Sequence, residues 1–419
     1  MKVQRSNTIP KKTFINGLTI NQLKEVYMKK VPVFLIVFFV VANISGASAD
    51  TITVGTDIEG ADYASIQGAI KNATAGDTVL VFPGNYTENV YVDKELIISS
   101  LSGNPLDTVV KAANSKDDVF TIVSDNVTIR GFSITGAGVD QYGDDKAGIY
   151  FEGTSNSVTM ENNVYSNGYG IFLHDSYNNT LTDNSAYMSG IGGIFLWNSS
   201  YNRLYNNYIN TTNHEGIYLY ELSNNNELNN NTVNFTYSGS GIALSLSDNN
   251  TLTSNTVLNS NSGFLLTESN LNSLISNVAN SNNWNGIDFQ ESNSNTLRNN
   301  TANFNKNNGI FLIKSNNNRL HYNNASNNSY HGINLNNSST GNILTGNIAD
   351  SNGKKNIHVA DPENNMINAV LPQESDSAQE SDSAQESDSA QELLFQSLIP
   401  SLIAVIIAGL IISWKTRKH

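Results

Sequence analysis

From Gly148 onward, apolar and polar residues alternate with period two in three short runs, and the set of runs recurs along the chain. Each unit reads Gly-Ile-x-Leu, then Asn-x-Leu, then Asn-x-(Ala/Val/Ile). The marking glycines are Gly148, Gly170, Gly193, Gly216, Gly241, Gly263, Gly286, Gly309 and Gly332, spaced 22 to 25 residues apart. A period this regular predicts stacked coils.

Within Gly170–Leu173, Ile171 and Leu173 point one way and Phe172 the other. This inward pair recurs as far as Ile333 and Leu335. A second inward column runs through Leu181, Leu204, Leu228, Leu252, Leu274, Leu297 and Leu320 to Ile343. A third runs from Val164 through Ala186, Ile209, Val233, Val257, Ala279, Ala302 and Ala325 to Ile348. Three short strands per unit then face one thin apolar axis. Stacking at about 4.8 Å makes three parallel sheets. Leucine-rich and helical repeats fit worse, because Gly and Asn at this density oppose helix.

Asparagine marks the corners. Asn179, Asn202, Asn225, Asn250, Asn272, Asn295 and Asn318 share one phase, and Asn162, Asn184, Asn207, Asn231, Asn255, Asn277, Asn300 and Asn323 another. Asn tolerates a left-handed corner, and its amide can bond the equivalent amide one coil away. Asn-x-Ser/Thr recurs, as at Asn178, Asn198, Asn234 and Asn299, so a few outward asparagines also read as glycan acceptors.

Before Gly148 the pattern loosens. Ile66, Ala69, Ile70 and Ala73 share a helical face with Asp62 as N-cap, which predicts a short helix over the first coil. Strands are expected near Val79–Val81, Val90–Val92, Leu96–Ile98, Val119–Val123 and Val127–Ile129. Past Gly332 the repeat decays through Asn356–Val359 and Met366–Val370, which should close the other end.

Two apolar segments flank the repeats. Val31–Val41 follows Lys29-Lys30 and precedes Ala47-Ser48-Ala49, the layout of a signal peptide, with Met28 as the expected start; an uncleaved anchor is the other reading. Leu393–Trp414 is 22 residues long, enough to cross a bilayer core, and Lys415, Arg417 and Lys418 after it predict a cytoplasmic tail. Three Gln-Glu-Ser-Asp-Ser-Ala hexads precede it, an acidic stalk that cannot bury apolar area. The expected parts are 1–49 leader and signal peptide, 50–147 cap and first coils, 148–372 regular repeats, 373–392 stalk, 393–414 transmembrane helix and 415–419 tail.

Net charge is −14, and loss of residues 1–49, with seven Lys/Arg and one Glu, takes it to −20. That argues against nucleic acid as a partner. Cysteine is absent, so disulfides and thiolate metal sites are excluded.

The opening Tyr63-Ala64-Ser65-Ile66-Gln67-Gly68-Ala69-Ile70, then Gly76-Asp77-Thr78-Val79, Pro83-Gly84-Asn85-Tyr86-Thr87-Glu88 and the Gly-Ile-x-Leu/Asn-x-Leu coils resemble the pectin-lyase-like superfamily. Within it they look closest to the NosD-like group, including archaeal-type surface proteins, over about residues 51–370. The resemblance implies an all-β, right-handed, single-stranded parallel β-helix, here with an N-terminal capping helix and a C-terminal transmembrane helix. It also implies an exported location. The founding group is implied to assist copper-centre assembly in nitrous oxide reductase.

Chemistry must sit on the outward face. After the first four repeat glycines that face reads Tyr150, Phe172, Phe195 and Tyr218, then Glu152, His174, Trp197 and Tyr220. Stacked aromatics suit sugar faces, although aromatics also suit strands for their own sake. Glu152, His174, Asp175 and Glu221 are the catalytic candidates. Glu152 and Asp175 on neighbouring coils suit a hydrolase, and His174 suits a base. No Lys or Arg lies among the aromatic positions, which disfavours a lyase. Asp140, Asp144 and Asp145 are weak Ca²⁺ candidates in an otherwise ordinary loop. Met160, Met188, Met366 and the scattered histidines form no copper ligand set, and no cofactor is expected.

The leading expectation is a cell-surface β-helix, held by one C-terminal helix, that binds surface polysaccharide or an envelope protein without catalysis. A polysaccharide lyase, hydrolase or epimerase, and an accessory factor for copper-enzyme maturation, are the alternatives.

Overall fold

The computed structural model describes residues 49–368 apart from Asp57, 139–145 and Asn337. The leader, stalk and proposed membrane span lie outside the described residues. The described residues form a right-handed parallel β-solenoid of about 13 turns. Three sheets of 14, 12 and 9 strands run its length, and neighbouring strands pair in parallel, as between Tyr169–His174 and Gly192–Trp197.

The inward columns form the core. Ile149, Ile171, Ile194, Ile217 and Ile242 lie in register on successive rungs of the 12-stranded sheet and are buried. Leu181, Leu204 and Leu228 do the same in the 14-stranded sheet, and Val164, Ala186 and Ile209 in the 9-stranded one. Full burial of such a side chain is worth about 1.5–3 kcal/mol. The repeat glycines sit where these columns converge. A Cβ on Gly216 would lie 2.6 Å from the Gly241 carbonyl oxygen and would strike the Val233 methyls.

Two columns end one residue later than the period of 23 predicts. Leu344, not Ile343, pairs with Leu320 and is buried, and Ala349 is buried while Ile348 is exposed. The ladder shows why: Asn318 bonds Asn342 and Asn323 bonds Asn347, so this coil has 24 residues. Leu335 still pairs with Leu312 at a spacing of 23 while Ser315 N already bonds Ser339 Oγ at 24, so the extra residue lies between Leu335 and Ser339, and Gly341, with φ +69°, holds the corner that Asn317 holds one coil earlier.

The asparagine ladders are the second structural system. Asn277 Oδ1 accepts from Asn255 N at 2.8 Å, and Asn277 Nδ2 donates to Leu252 O at 2.9 Å and to Asn300 Oδ1 at 3.0 Å. Each rung thus ties neighbouring coils through buried amides. The 14-stranded side passes through Asn202, Asn226 and Asn250. Asn225 is therefore not a rung. It holds the corner at φ +58°, and its side chain receives Asn249 Nδ2. The corner role and the ladder role belong to adjacent residues, as at Asn178–Asn179 and Asn230–Asn231. A further ladder, Asn282–Asn305–Asn328–Asn352, and serine rungs such as Ser269–Ser292–Ser315 complete the corners.

The helix Ile66–Asn72 buries Ile66, Ala69 and Ile70. Its N-cap is Ser65, whose Oγ accepts from Gly68 N, not Asp62. Asp62 instead receives Thr53 N and Thr53 Oγ1, which hold its carboxyl below the usual range. At the other end, Ile357–Val359 and Met366–Asn368 continue the stack as its last described rungs, with Met366 and Ile367 exposed.

Asp288 is the exception on the outer face. It lies in register between Leu265 and Phe311, is 2% exposed, and has Oδ1 without a partner, while Oδ2 accepts from Asn285 Nδ2. Burial raises its pKa to about 6. The folded state then favours the protonated form, so the contribution of Asp288 to stability falls as pH rises from about 4 through 6. Asp288→Asn should raise stability by about 3 kcal/mol at pH 7 and leave it nearly unchanged at pH 4, read from urea unfolding midpoints.

Asn226→Ala removes the acceptor of Asn202 N and the donor to Ser199 O. Two buried groups left unpaired cost about 1–3 kcal/mol each. Asn225→Ala leaves no buried backbone group unpaired and should cost only the left-handed corner penalty of about 1–2 kcal/mol; equal losses in thermal unfolding would contradict the ladder assignment.

Candidate functional site

The early rungs of the 12-stranded sheet are Ala147–Glu152, Tyr169–His174, Gly192–Trp197 and Ile217–Tyr220. Alternation sends Tyr150, Phe172, Phe195 and Tyr218 outward in one column, and Glu152, His174, Trp197 and Tyr220 in the next. Ring centroids in the first column follow at 5.2, 4.8 and 5.3 Å. In the second, His174 and Trp197 lie 4.8 Å apart and Trp197 and Tyr220 6.1 Å. Ala243 and Ser245 on the next rung end the aromatic run.

The residues are not equally available. Phe195 is 9% exposed, packed between Tyr169 and Tyr218 at 5.3 Å each. It is the floor of the face. Trp197 is 38% exposed and is its most accessible large ring. Tyr169 has no place in the sequence reading, because alternation counted back from Ile171 puts it inside. In the structure it leans on Phe172 and Phe195, on the outer side. An aromatic directly before a repeat glycine was the available signal.

Tyr169, Gly192, Phe195, Glu215 and Tyr218 line an open notch of about 250 Å³ together with Ile191. Gly192 is in register with Tyr169, so the column of side chains is broken there. The volume lies below the range of about 300–1,000 Å³ for drug-sized ligands and suits one small unit of a longer chain.

The polar groups form a rim. Trp197 Nε1 donates to Glu221 Oε2 at 3.1 Å, and Asn198 Nδ2 to Asp175 Oδ1 at 2.6 Å. His174 sits between Tyr150 Oη at 3.2 Å from Nδ1 and Asp175 Oδ2 at 3.8 Å from Nε2. Burial, then the charges of Glu152, Asp118 and Asp175, push Tyr150 up to about 12. Burial also takes Tyr218 up to about 12, and the Glu221 carboxylate raises Tyr220. These phenols stay neutral and able to donate at any physiological pH. The four strands carry one carboxylate, Glu152, and no Lys or Arg, and Asp175 and Glu221 directly follow two of them. The structure thus gathers Glu152, His174, Asp175 and Glu221 around one aromatic surface. Asp140, Asp144 and Asp145 lie outside the described residues.

Residues 70–262 and 223–369 match the family model described as "Periplasmic copper-binding protein (NosD)". A cell surface glycoprotein of Methanothermus fervidus is 30% identical over 223 residues, 43% of this chain and 35% of that protein. The chain therefore spans about a third of that relative's length. Among solved structures, the A-module of the Azotobacter vinelandii mannuronan C-5 epimerase AlgE6 superposes with a TM-score of 0.62 at 17% identity, covering 74% of this chain and 95% of the module. The catalytic domain of a GH87 α-1,3-glucanase in complex with nigerose gives 0.56 at 15%, covering 79% and 70%. These two likenesses establish the fold.

The family description raises copper, which asks for converging imidazole, thiolate or thioether donors. Cysteine is absent from the chain, and among the described residues no three His, Asp or Glu side chains converge. His331 and His358 stack at 4.9 Å, but His331 Nδ1 already receives Lys355 N at 3.0 Å. The described residues do not fit a copper centre.

Phe195→Ala should open a cavity beneath the face and cost about 3 kcal/mol in chemical unfolding, whereas Trp197→Ala should cost under about 1 kcal/mol. The contrast separates the ring that holds the face together from the ring that faces solvent.

Proposed function

The chain belongs to the periplasmic copper-binding protein (NosD) family, and from that premise we propose that it is an envelope β-helix binding a carbohydrate chain along the outer face of its early coils. The observation that carries the reading is the continuous aromatic surface from Tyr150 to Tyr220, rimmed by hydrogen-bonding groups and confined to four coils. Sugar rings present C–H faces that stack on aromatic planes and hydroxyls that bond carboxylates and phenols. Rungs about 4.8 Å apart place an aromatic within reach of each successive unit.

Charge narrows the ligand. Glu152, Asp175, Glu215 and Glu221 surround the face and no cation lies on its strands, so a polyuronate would be repelled. Neutral chains suit it better. The similar epimerase is named for mannuronan, a polyanion, and that substrate does not transfer here.

The same proposal includes the setting. Leu393–Trp414 anchors the chain with Lys415, Arg417 and Lys418 on the cytoplasmic side, the stalk 373–392 holds the coils away from the bilayer, and the helix Ile66–Asn72 caps the first coil. A second reading has one favourable observation: Tyr150, His174 and Asp175 form a chain of hydrogen-bonding groups beside Glu152, the kind of set that moves protons in a carbohydrate-active enzyme.

The test is retention of the purified protein on immobilised polysaccharides. Binding to one or more neutral polymers and none to alginate or polygalacturonate is expected, with Trp197→Ala at least tenfold weaker and Asn225→Ala unchanged. Unaltered binding by Trp197→Ala, or tightest binding to polyuronates, refutes the face as the site. Release of soluble products from the bound polymer, lost in His174→Ala, would favour the enzyme.

A further inference from the structure

The corners of this fold generate a second pattern. A left-handed corner favours Asn, the next position needs an inward residue, and the strand then opens in several coils with an outward Thr or Ser. In sequence that order of demands reads Asn-x-Thr/Ser. At Asn126, Asn178, Asn230, Asn249, Asn299 and Asn327 the asparagine is exposed with φ between 56° and 58°. The middle residue is fully inside at each, as with Asn179, Asn231 and Asn250, all 0% exposed. Alternation brings the third residue back to the surface: Thr128, Thr180, Thr232, Thr251 and Thr301 are half-buried and Ser329 is exposed.

We propose that these six corner asparagines are N-glycan acceptors. The carboxamide nitrogen bonds to the anomeric carbon of a polyprenyl-phosphate-linked oligosaccharide. The anomeric C–O bond to phosphate breaks, the lipid phosphate leaves with that electron pair, and the amide gives up one proton. One N–H remains, sufficient for the existing bonds from Asn230 to Asn206 at 2.8 Å and from Asn249 to Asn225 at 2.6 Å. Asn126, Asn299 and Asn327 make no side-chain hydrogen bond among the described residues, so they lose nothing.

The hydroxyl decides which sequons qualify, because the transferring enzyme must reach it as well as the amide. In the six, that hydroxyl makes no hydrogen bond among the described residues. Asn198, Asn210, Asn234 and Asn324 carry the same three-letter pattern out of phase. Their third residues, Ser200, Thr212, Thr236 and Ser326, are 8, 1, 1 and 7% exposed. Each of those hydroxyls is already engaged, to Leu222 O, His214 O, Gly239 O and Asn324 Oδ1 respectively. The folded coil therefore sorts these ten of the chain's Asn-x-Thr/Ser motifs into six open and four closed. The inference stands whether or not the aromatic face binds sugar.

Glycopeptide mapping of the full chain, purified from the membranes of its own host, tests it. Glycans are expected at the six and absent from Asn198, Asn210, Asn234 and Asn324. Thr180→Val should remove the glycan at Asn178 alone while Thr180→Ser keeps it, with the circular dichroism spectrum unchanged in both. Six bare asparagines, or occupancy of the closed four equal to that of the open six, would overturn the proposal.

Discussion

Each coil of this molecule must satisfy the backbone of the next, and the corners are where that demand is hardest to meet. Strand ladders take care of themselves, since every rung pairs in parallel with its neighbours. At a corner the chain turns N–H and C=O groups away from the strand ladder, among side chains that are themselves buried. The buried asparagine answers with a group that copies the peptide. Asn277 takes an N–H from the coil below through Oδ1 and gives two hydrogen bonds through Nδ2. An unpaired buried group costs about 1–3 kcal/mol, so a missing rung exposes several such costs at once. The apolar columns supply the drive to coil, but they do not fix where each turn closes.

That division explains what could be read in advance. The inward Ile/Leu pairs were legible because period-two alternation and stacking give them no freedom. The ladder between Asn162 and Asn323 was legible because its spacing follows the glycines. Asn225 misled because the corner and the rung are both asparagine and lie side by side; only the hydrogen bonds assign Asn226 to the ladder. Ile343 and Ile348 misled because one residue inserted between Leu335 and Ser339 shifts every later position by one, and a fixed period carries no warning of it. Ser65 displaced Asp62 as the helix cap because Asp62 is committed to Thr53 on the preceding strand, a partner that local pattern does not reveal.

The candidate site was legible in its columns and not in its depth. Tyr150, Phe172, Phe195 and Tyr218 stand together as alternation requires. Alternation does not say that Phe195 is covered from both sides, nor that Tyr169 leaves the interior to help cover it. Tyr169 has room to lean there because Gly192, in register with it on the next rung, carries no side chain, and Tyr218 covers Phe195 from the rung beyond.

The family name and the outer face therefore carry different information. Inward apolar positions, ladder amides, corner residues and entry glycines are consumed by the fold, and these are the positions any relative of the same architecture must echo. A match built on them reports the winding. The outward strand positions are free of that constraint, and in this chain they change from aromatic on the first four regular coils to Ala243, Leu265 and buried Asp288 beyond. A donor set for copper would have to be assembled on those same free positions, and the described ones carry rings and carboxylates instead. Chemistry in this architecture is consequently a property of a few outward rungs, and it can differ between two members whose cores and corners are alike.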